Sequence, residues 1–211
     1  MIPKAFVTIG NRSLLSRVLQ TIAGIEGVEE VVIAVPAGEK KTARAQANSA
    51  GLRIPMKVTE GGATRQDSVR RALALTSAEA ELVVVHDAAR PFATAAMFSA
   101  CLTAASQSGA AVAAIPVTDT LKQVENGTIV ATIPRAGLWQ AQTPQAFRRE
   151  LLVRAHEAAA NEQIEATDDA HLCAGLGLAV QVVQGSALNF KITTRDDLRT
   201  GESIAGFVTL R

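Results

Sequence analysis

The sequence predicts an α/β fold, and three features carry that reading: short β-branched runs alternate with longer amphipathic stretches, chain breakers separate them, and the apolar residues are almost all aliphatic. Hydrophobic residues make up 48% of the chain and aromatics only 3%. The core must therefore be built from Ala, Val, Leu and Ile, the mixture expected where buried strands alternate with packed helices. With 211 residues, a single domain over 1–211 is the default.

The elements follow in order. Asn11 to Gly24 carries Leu14, Leu15, Val18, Leu19 and Ile22 at helical spacing, with Ser13 as a candidate N-cap. Glu29 to Val35 is a β-branched run closed by Pro36, and the Ala- and Lys-rich stretch Glu39 to Ala50 reads as the next helix. The alternation then repeats: strand at Pro55 to Thr59, helix at Arg65 to Leu75, strand at Leu82 to Val85, helix at Thr94 to Ser106, strand at Ala110 to Ile115. Such alternation implies right-handed crossovers and a Rossmann-like, mostly parallel sheet flanked by helices. After Pro116 the pattern changes. Asp119 to Glu125 and Thr128 to Ile133 flank Asn126-Gly127, a strong hairpin signal because both turn positions tolerate positive φ, so a β-hairpin arm is inserted over 119–135. A strand-like stretch around Trp139, helices at Arg148 to Ala160 and Thr167 to Gly175, a strand at Ala179 to Val183 and a helix at Thr194 to Phe207 complete the chain.

Bulk properties exclude several function classes. Twenty-one Lys and Arg against 20 Asp and Glu give a net charge of +1, so no broad field draws in nucleic acid or an anionic membrane, and anions must be gripped locally. Gly109 to Val117 is far shorter than the roughly 20 apolar residues of a membrane span, and Met1 to Lys4 lacks the pattern of a signal peptide, so the expected location is cytoplasmic. Cys101 and Cys173 stand apart from each other and from any Cys/His cluster. They read as two buried thiols in a reducing compartment.

Ligands of open parallel sheets bind beyond the carboxyl ends of the strands, which directs attention to three places. The first is Glu60 to Ser68, where Gly61-Gly62 leads from a strand into a helix; such glycines let backbone amides approach a base or phosphate, but they also make an ordinary turn. The second is His86-Asp87-Ala88-Ala89-Arg90-Pro91 after Leu82 to Val85. Asp87 reads equally as a Mg²⁺ carboxylate of a phosphoryl-transfer site and as a helix N-cap. His86 reads as a packed neighbour, and Arg90 either clamps a phosphate or pairs with a surface acid. The third is the set Thr120, Lys122, Arg135, Thr143 and Lys191, each near the end of a strand-like run. Cations and hydroxyls converging on a reacting phosphorus are what the joining of two polyanions needs, though single Lys and Arg residues are ordinarily solvated surface charges.

Together these segments resemble the 2-C-methyl-D-erythritol 4-phosphate cytidylyltransferase family. The matching segments run in order: Pro3-Lys4; Gly61-Gly62 with Arg65 and Asp67-Ser68-Val69; His86 to Pro91; Pro116 to Lys122; Arg135 with Gly137-Leu138-Trp139; Thr143 to Phe147; Thr167 to Ala170; and Asn189 to Thr193. The resemblance implies transfer of a cytidylyl group from CTP to the methylerythritol phosphate, with release of pyrophosphate. It implies that Lys4 offsets charge on the CTP phosphates and that Gly62 and Ser68 hold the cytosine end. Asp87 would meet Mg²⁺ and the substrate hydroxyls, while Arg135 and Lys191, helped by Thr120, Thr143 and Arg90, would hold the alcohol phosphate in line with the α-phosphorus. It also implies a homodimer in which the arm carries Thr120 and Arg135 into the partner's site.

Two departures bear on that expectation. The family opens with a strand and a Gly-rich loop of the kind PAAGxGxRM that cradles the triphosphate, whereas Met1 here stands just ahead of Pro3-Lys4. Since that strand would lie in mid-sheet, its absence predicts open strand edges, a heavy cost for a domain of typical stability of about 5 to 15 kcal/mol. Ala63 also stands where an acidic residue is common. The alternatives are a ribitol 5-phosphate cytidylyltransferase, whose motifs overlap, and a non-catalytic relic lacking its phosphate loop.

Overall fold

The computed structural model describes residues 3–208; residues 1–2 and 209–211, at the two ends of the 1–211 reading, lie outside the described ones. A short 3-10 turn at Lys4–Phe6 leads into two brief strands, β1 (Thr8–Ile9) and β2 (Arg12–Ser13), and then α1 (Leu14–Ala23). Gly10 at φ +61° turns the chain back ahead of that helix, and Ser13, the candidate N-cap of the sequence reading, is its N-cap, the hydroxyl accepting from the Ser16 amide at 3.0 Å. Then follow β3 (Val31–Val35), α2 (Lys40–Ser49), β4 (Met56–Glu60), α3 (Arg65–Leu73), β5 (Leu82–Val85), α4 (Ala95–Ser108) and β6 (Ala110–Pro116). The arm is β7 (Leu121–Glu125) with β8 (Thr128–Ile133), turned at Asn126 and Gly127, both at positive φ. The chain closes with β9 (Trp139–Arg148), α5 (Arg149–Glu162), α6 (Asp169–Gly175), β10 (Gln181–Gln184) and α7 (Arg195–Val208).

Four strands pair in the order β10-β6-β9-β5. β10 runs parallel to β6, while β9 lies antiparallel to both of its neighbours, β6 and β5. Three of the four strands therefore share one direction, and β9 is the exception that the run around Trp139 did not announce. Helix α4 packs on this sheet through Met97, Cys101 and Ala105, and α5 with α6 through Leu152, Ala155, Ala159, Leu172 and Cys173. Ala110, Ala111, Ala113 and Ala146 are buried, and such small residues let these layers approach closely. Both cysteines are free and buried, and burial raises their thiol pKa values to about 11 and about 12.

A second, parallel pair, β3-β4, stands beside this sheet without bonding to it. β3 is paired only by β4 and β5 only by β9, so each keeps one free edge among the described residues. Between them lies a cavity of about 1090 Å³ lined by Val31–Ala34 and Leu82–Val85, with Leu19, Ile22 and Phe98. No helix among the described residues is long and apolar enough to cross a membrane.

Candidate active site

Asp87 stands two residues beyond the end of β5, and its alternative reading as an N-cap is excluded: the next helix starts at Ala95 and is capped by Thr94, whose hydroxyl accepts from the Met97 amide. Its carboxylate is held from two sides instead. Arg65 Nε donates to Oδ1 at 3.1 Å, and Lys191 Nζ donates to Oδ2 at 2.7 Å. Burial pushes the Asp87 pKa upward, but the Arg65 guanidinium and then the Lys191 ammonium outweigh it and hold the carboxyl below its ordinary value. The same pairing acts in reverse on Arg65, where burial pulls downward while Asp169 and then Asp87 raise the net value.

His86 positions this carboxylate from behind. Its Nε2 lies 3.1 Å from the Arg90 carbonyl, which can only accept, so that nitrogen carries the hydrogen. Burial is the main reason the ring pKa falls to about 4, against smaller opposing pulls from the Arg90 carbonyl and the Asp87 charge. The neutral ring thus presents Nδ1 as an acceptor 3.1 Å from Thr143 Oγ1, and the Thr143 hydroxyl in turn accepts the Asp87 amide at 3.0 Å. Thr143 reaches this point through an irregularity of β9: a step of two residues on β6, Val112 to Ala114, is matched by a step of four on β9, Gln145 to Ala141. Bulges commonly aim a side chain this way beside a site.

The loop carrying Lys191 is fixed by buried amides. Gln142 Nε2 donates to the Ser186 carbonyl at 2.9 Å, and Asn189 Nδ2 donates to Gln142 Oε1 at 3.0 Å and the Thr143 carbonyl at 2.9 Å. Gly185 is needed here, since a Cβ would stand 2.5 Å from Gln142 Oε1 and 3.0 Å from the Ala114 carbonyl oxygen. Arg90 braces the same loop, donating through NH1 to the Asn189 carbonyl at 2.8 Å. The result is a cleft of about 220 Å³ bounded by Arg65, Asp87, Arg90, Thr143, Asp168 and Lys191. A carboxylate flanked by two cations at the carboxyl end of a strand can receive a phosphate and its counter-ion.

Of the residues picked from sequence, Asp87, Arg90, Thr143 and Lys191 meet in this cleft. Arg90 does so as a brace of two backbone carbonyls, those of Asn189 and Ala141. Lys4 is exposed, but its neighbour Phe6 belongs to the apolar cluster against which Ala88 packs, so the turn sits beside the Asp87 loop. Gly62 and Ser68 satisfy one another: the Gly62 amide donates to Ser68 Oγ at 3.0 Å, and a Cβ on Gly62 would stand 2.1 Å from that of Asp67. Thr120, Lys122 and Arg135 are not brought to the cleft. They are exposed on or beside the arm, where Arg135 bonds the Thr118 carbonyl and Lys122 bonds Thr132. Sequence reasoning gave no role to His156, Gln142 or Gln145. The one available signal was a lone His on the buried stripe Leu152, Ala155, Ala159.

Comparison with known proteins adds an independent line. The family model described as IspD, 2-C-methyl-D-erythritol 4-phosphate cytidylyltransferase, matches residues 1–206. A protein of that name from Deinococcus radiodurans is 47% identical over 206 residues, covering 98% of this chain and 83% of its own length. One from Halalkalibacterium halodurans is 40% identical over 201 residues, covering 95% and 88%. Among solved structures, the 2-C-methyl-D-erythritol 4-phosphate cytidylyltransferase of Thermus thermophilus superposes with a TM-score of 0.85 at 40% identity, covering 97% of this chain and 94% of that one. With sequence, fold and relatives in agreement, the chain belongs to the 2-C-methyl-D-erythritol 4-phosphate cytidylyltransferase family.

Proposed function

We propose that this chain transfers the cytidylyl group of CTP to 2-C-methyl-D-erythritol 4-phosphate, giving 4-diphosphocytidyl-2-C-methyl-D-erythritol and pyrophosphate. The observation that carries the reading is Asp87 held between Arg65 and Lys191 at the end of β5, in a chain that its family matches almost end to end. Two polyanions must meet for the phosphate oxygen of the alcohol to attack the α-phosphorus, so positioning and charge neutralisation make up most of the catalysis. Lys191 is the cation within reach of the incoming phosphate. Thr143 and Asn189 keep it and Asp87 in register, and Lys4, Gly62 and Ser68 serve the nucleotide side.

A divalent cation such as Mg²⁺ fits the donor set in one way. No group of three His, Cys, Asp or Glu that could hold a metal occurs among the described residues, so Asp87 would be its protein ligand and nucleotide phosphates and water would complete the octahedron. When bound, the ion supplies charge neutralisation at the phosphates. The chain's own residues do the rest: Asp87 accepts from the substrate hydroxyls, and Lys191 meets the phosphate.

The arm supports a homodimer. Val124, Ile129 and Val130 are exposed, Ile129 at 60%, on a two-stranded hairpin that has marginal stability alone, and Trp139 at the start of β9 is exposed as well. In a twofold dimer each arm covers the other, and Thr120 and Arg135 serve the partner's cleft. The proposed setting is the cytoplasm, with small-molecule substrates and no nucleic acid or membrane partner. CTP-dependent pyrophosphate release tests the reaction. Turnover with 2-C-methyl-D-erythritol 4-phosphate is expected; turnover with ribitol 5-phosphate alone, or with neither, would sink the proposal.

A further inference from the structure

Behind the cleft runs a line of paired groups that the reaction itself does not require. His156 on α5 and Asp169 at the start of α6 have side chains 2% and 1% exposed, inside the apolar cluster of Leu152, Ala155, Ala159, Leu172 and Cys173. His156 Nε2 lies 2.9 Å from Asp169 Oδ1, and Nδ1 is buried without a partner. The second Asp169 oxygen, Oδ2, accepts from Arg65 NH1 at 2.8 Å. Arg65 then passes Nε to Asp87 Oδ1, and its NH2 is buried and unpaired. A guanidinium that faced one carboxylate with two nitrogens would gain a stronger fork. Here it is instead stretched as a strut between two acids that lie on different elements.

Charged and polar groups buried in such a cluster gain the fold little, because desolvation consumes most of their attraction, and apolar residues of similar volume often serve as well. What the pair does provide is a fixed direction for Arg65. We infer that Asp169, seated by His156, is a positioning residue of this enzyme. Through Arg65 it keeps Asp87 Oδ1 occupied and turns Oδ2 toward the cleft, so that Lys191 and the incoming ligand share Oδ2. The inference deepens the reading of Asp87 as the site carboxylate and rests on it. Displacements of about 1 Å at such a centre, or loss of a group supporting it, typically cost on the order of 10- to 100-fold in activity.

The test replaces the pair by an apolar one, His156→Leu with Asp169→Leu, beside Asp169→Asn and His156→Gln, the last of which keeps a donor toward Asp169. The double variant should melt below the wild-type temperature, because Arg65 NH1 loses its acceptor, and where it folds its kcat should fall by roughly 10- to 100-fold while its KM for CTP stays close to wild type. His156→Gln should retain most of the rate. Asp169→Asn, nearly isosteric, should lose rate in the same direction, and it decides the matter if the double variant does not fold. Crystal structures of the folded variants give a readout independent of turnover: Arg65 should leave Oδ1 and the Asp87 carboxylate should rotate. Wild-type kcat in the folded double variant or in Asp169→Asn, or an unmoved Asp87, would overturn the inference. Absence of turnover in the wild-type protein would instead count against the proposed reaction, and the crystal structures alone would then decide the positioning role.

Discussion

The cleft around Asp87 and the β7-β8 arm are built on opposite plans. In the cleft the polar side chains find partners inside the same chain: Asp87 with Arg65 and Lys191, Thr143 with His86, Asn189 with Gln142. On the arm the apolar side chains Val124, Ile129 and Val130 face outward, and Arg135 touches little beyond the Thr118 carbonyl. A closed network explains its residues from one copy of the chain. An exposed hairpin with apolar faces offers a contact surface, and under the proposed dimer that difference separates the residues whose roles follow from one chain from those whose roles would need the partner.

The largest effect should come from the cleft. Lys191→Ala, or Asp87→Asn, removes one partner of a charge pair aimed at the substrate, and kcat/KM should fall roughly 10²- to 10³-fold, measured as pyrophosphate release. Lys191 is half exposed, so the melting temperature should move little; a loss of folding equal to the loss of activity would merge site and scaffold. Next is the arm. Arg135→Ala should cost roughly 10²-fold with stability unchanged, because its side chain is exposed; wild-type turnover would place the arm outside the chemistry. Ile129→Asp with Val130→Asp puts charge on the proposed contact and should shift light scattering from dimer to monomer, whereas a monomeric parent would remove the contrast altogether.

A smaller effect concerns pH. His86 has a folded pKa of about 4 against 6.5 unfolded, so between these values the unfolded chain binds the extra proton. Its contribution to stability is full above about pH 6.5 and declines as pH falls toward 4, by roughly 2 kcal/mol at pH 4.5. Asp87, with its depressed pKa, adds a loss of the same sign at lower pH as its carboxylate protonates. Urea midpoints at pH 7 and pH 4.5 should therefore differ less in His86→Gln than in wild type; equal differences would remove His86 from the account. The smallest effect belongs to the turn. Gly127→Ala forces a side chain into φ +78° and should cost about 1 kcal/mol without changing kcat, since nothing there meets substrate.

Much of the fold was legible because aliphatic runs and breakers report directly on burial and chain reversal. The β5 run was read at its observed bounds, and Asn126-Gly127 marked the arm. The antiparallel direction of β9 was not legible, since side-chain pattern carries no sign of strand direction. In the site, Asp87 and Lys191 could be picked out as polar residues following apolar runs, but their 2.7 Å contact links positions 104 residues apart. Asp169 and His156 were harder still. A buried acid reads as an ordinary first-turn residue until the partner from another helix is in place.

The relation between the two regions is tested most directly by mixing two crippled proteins. In a twofold dimer with shared sites, a heterodimer of Lys191→Ala and Arg135→Ala holds one doubly damaged site and one intact site. Random exchange of protomers should therefore restore about a quarter of wild-type activity from two nearly inactive preparations. Activity that stays at the level of the separate variants after verified exchange would contradict the account, and would mean that Lys191 and Arg135 act within one chain or that Arg135 does not act at all.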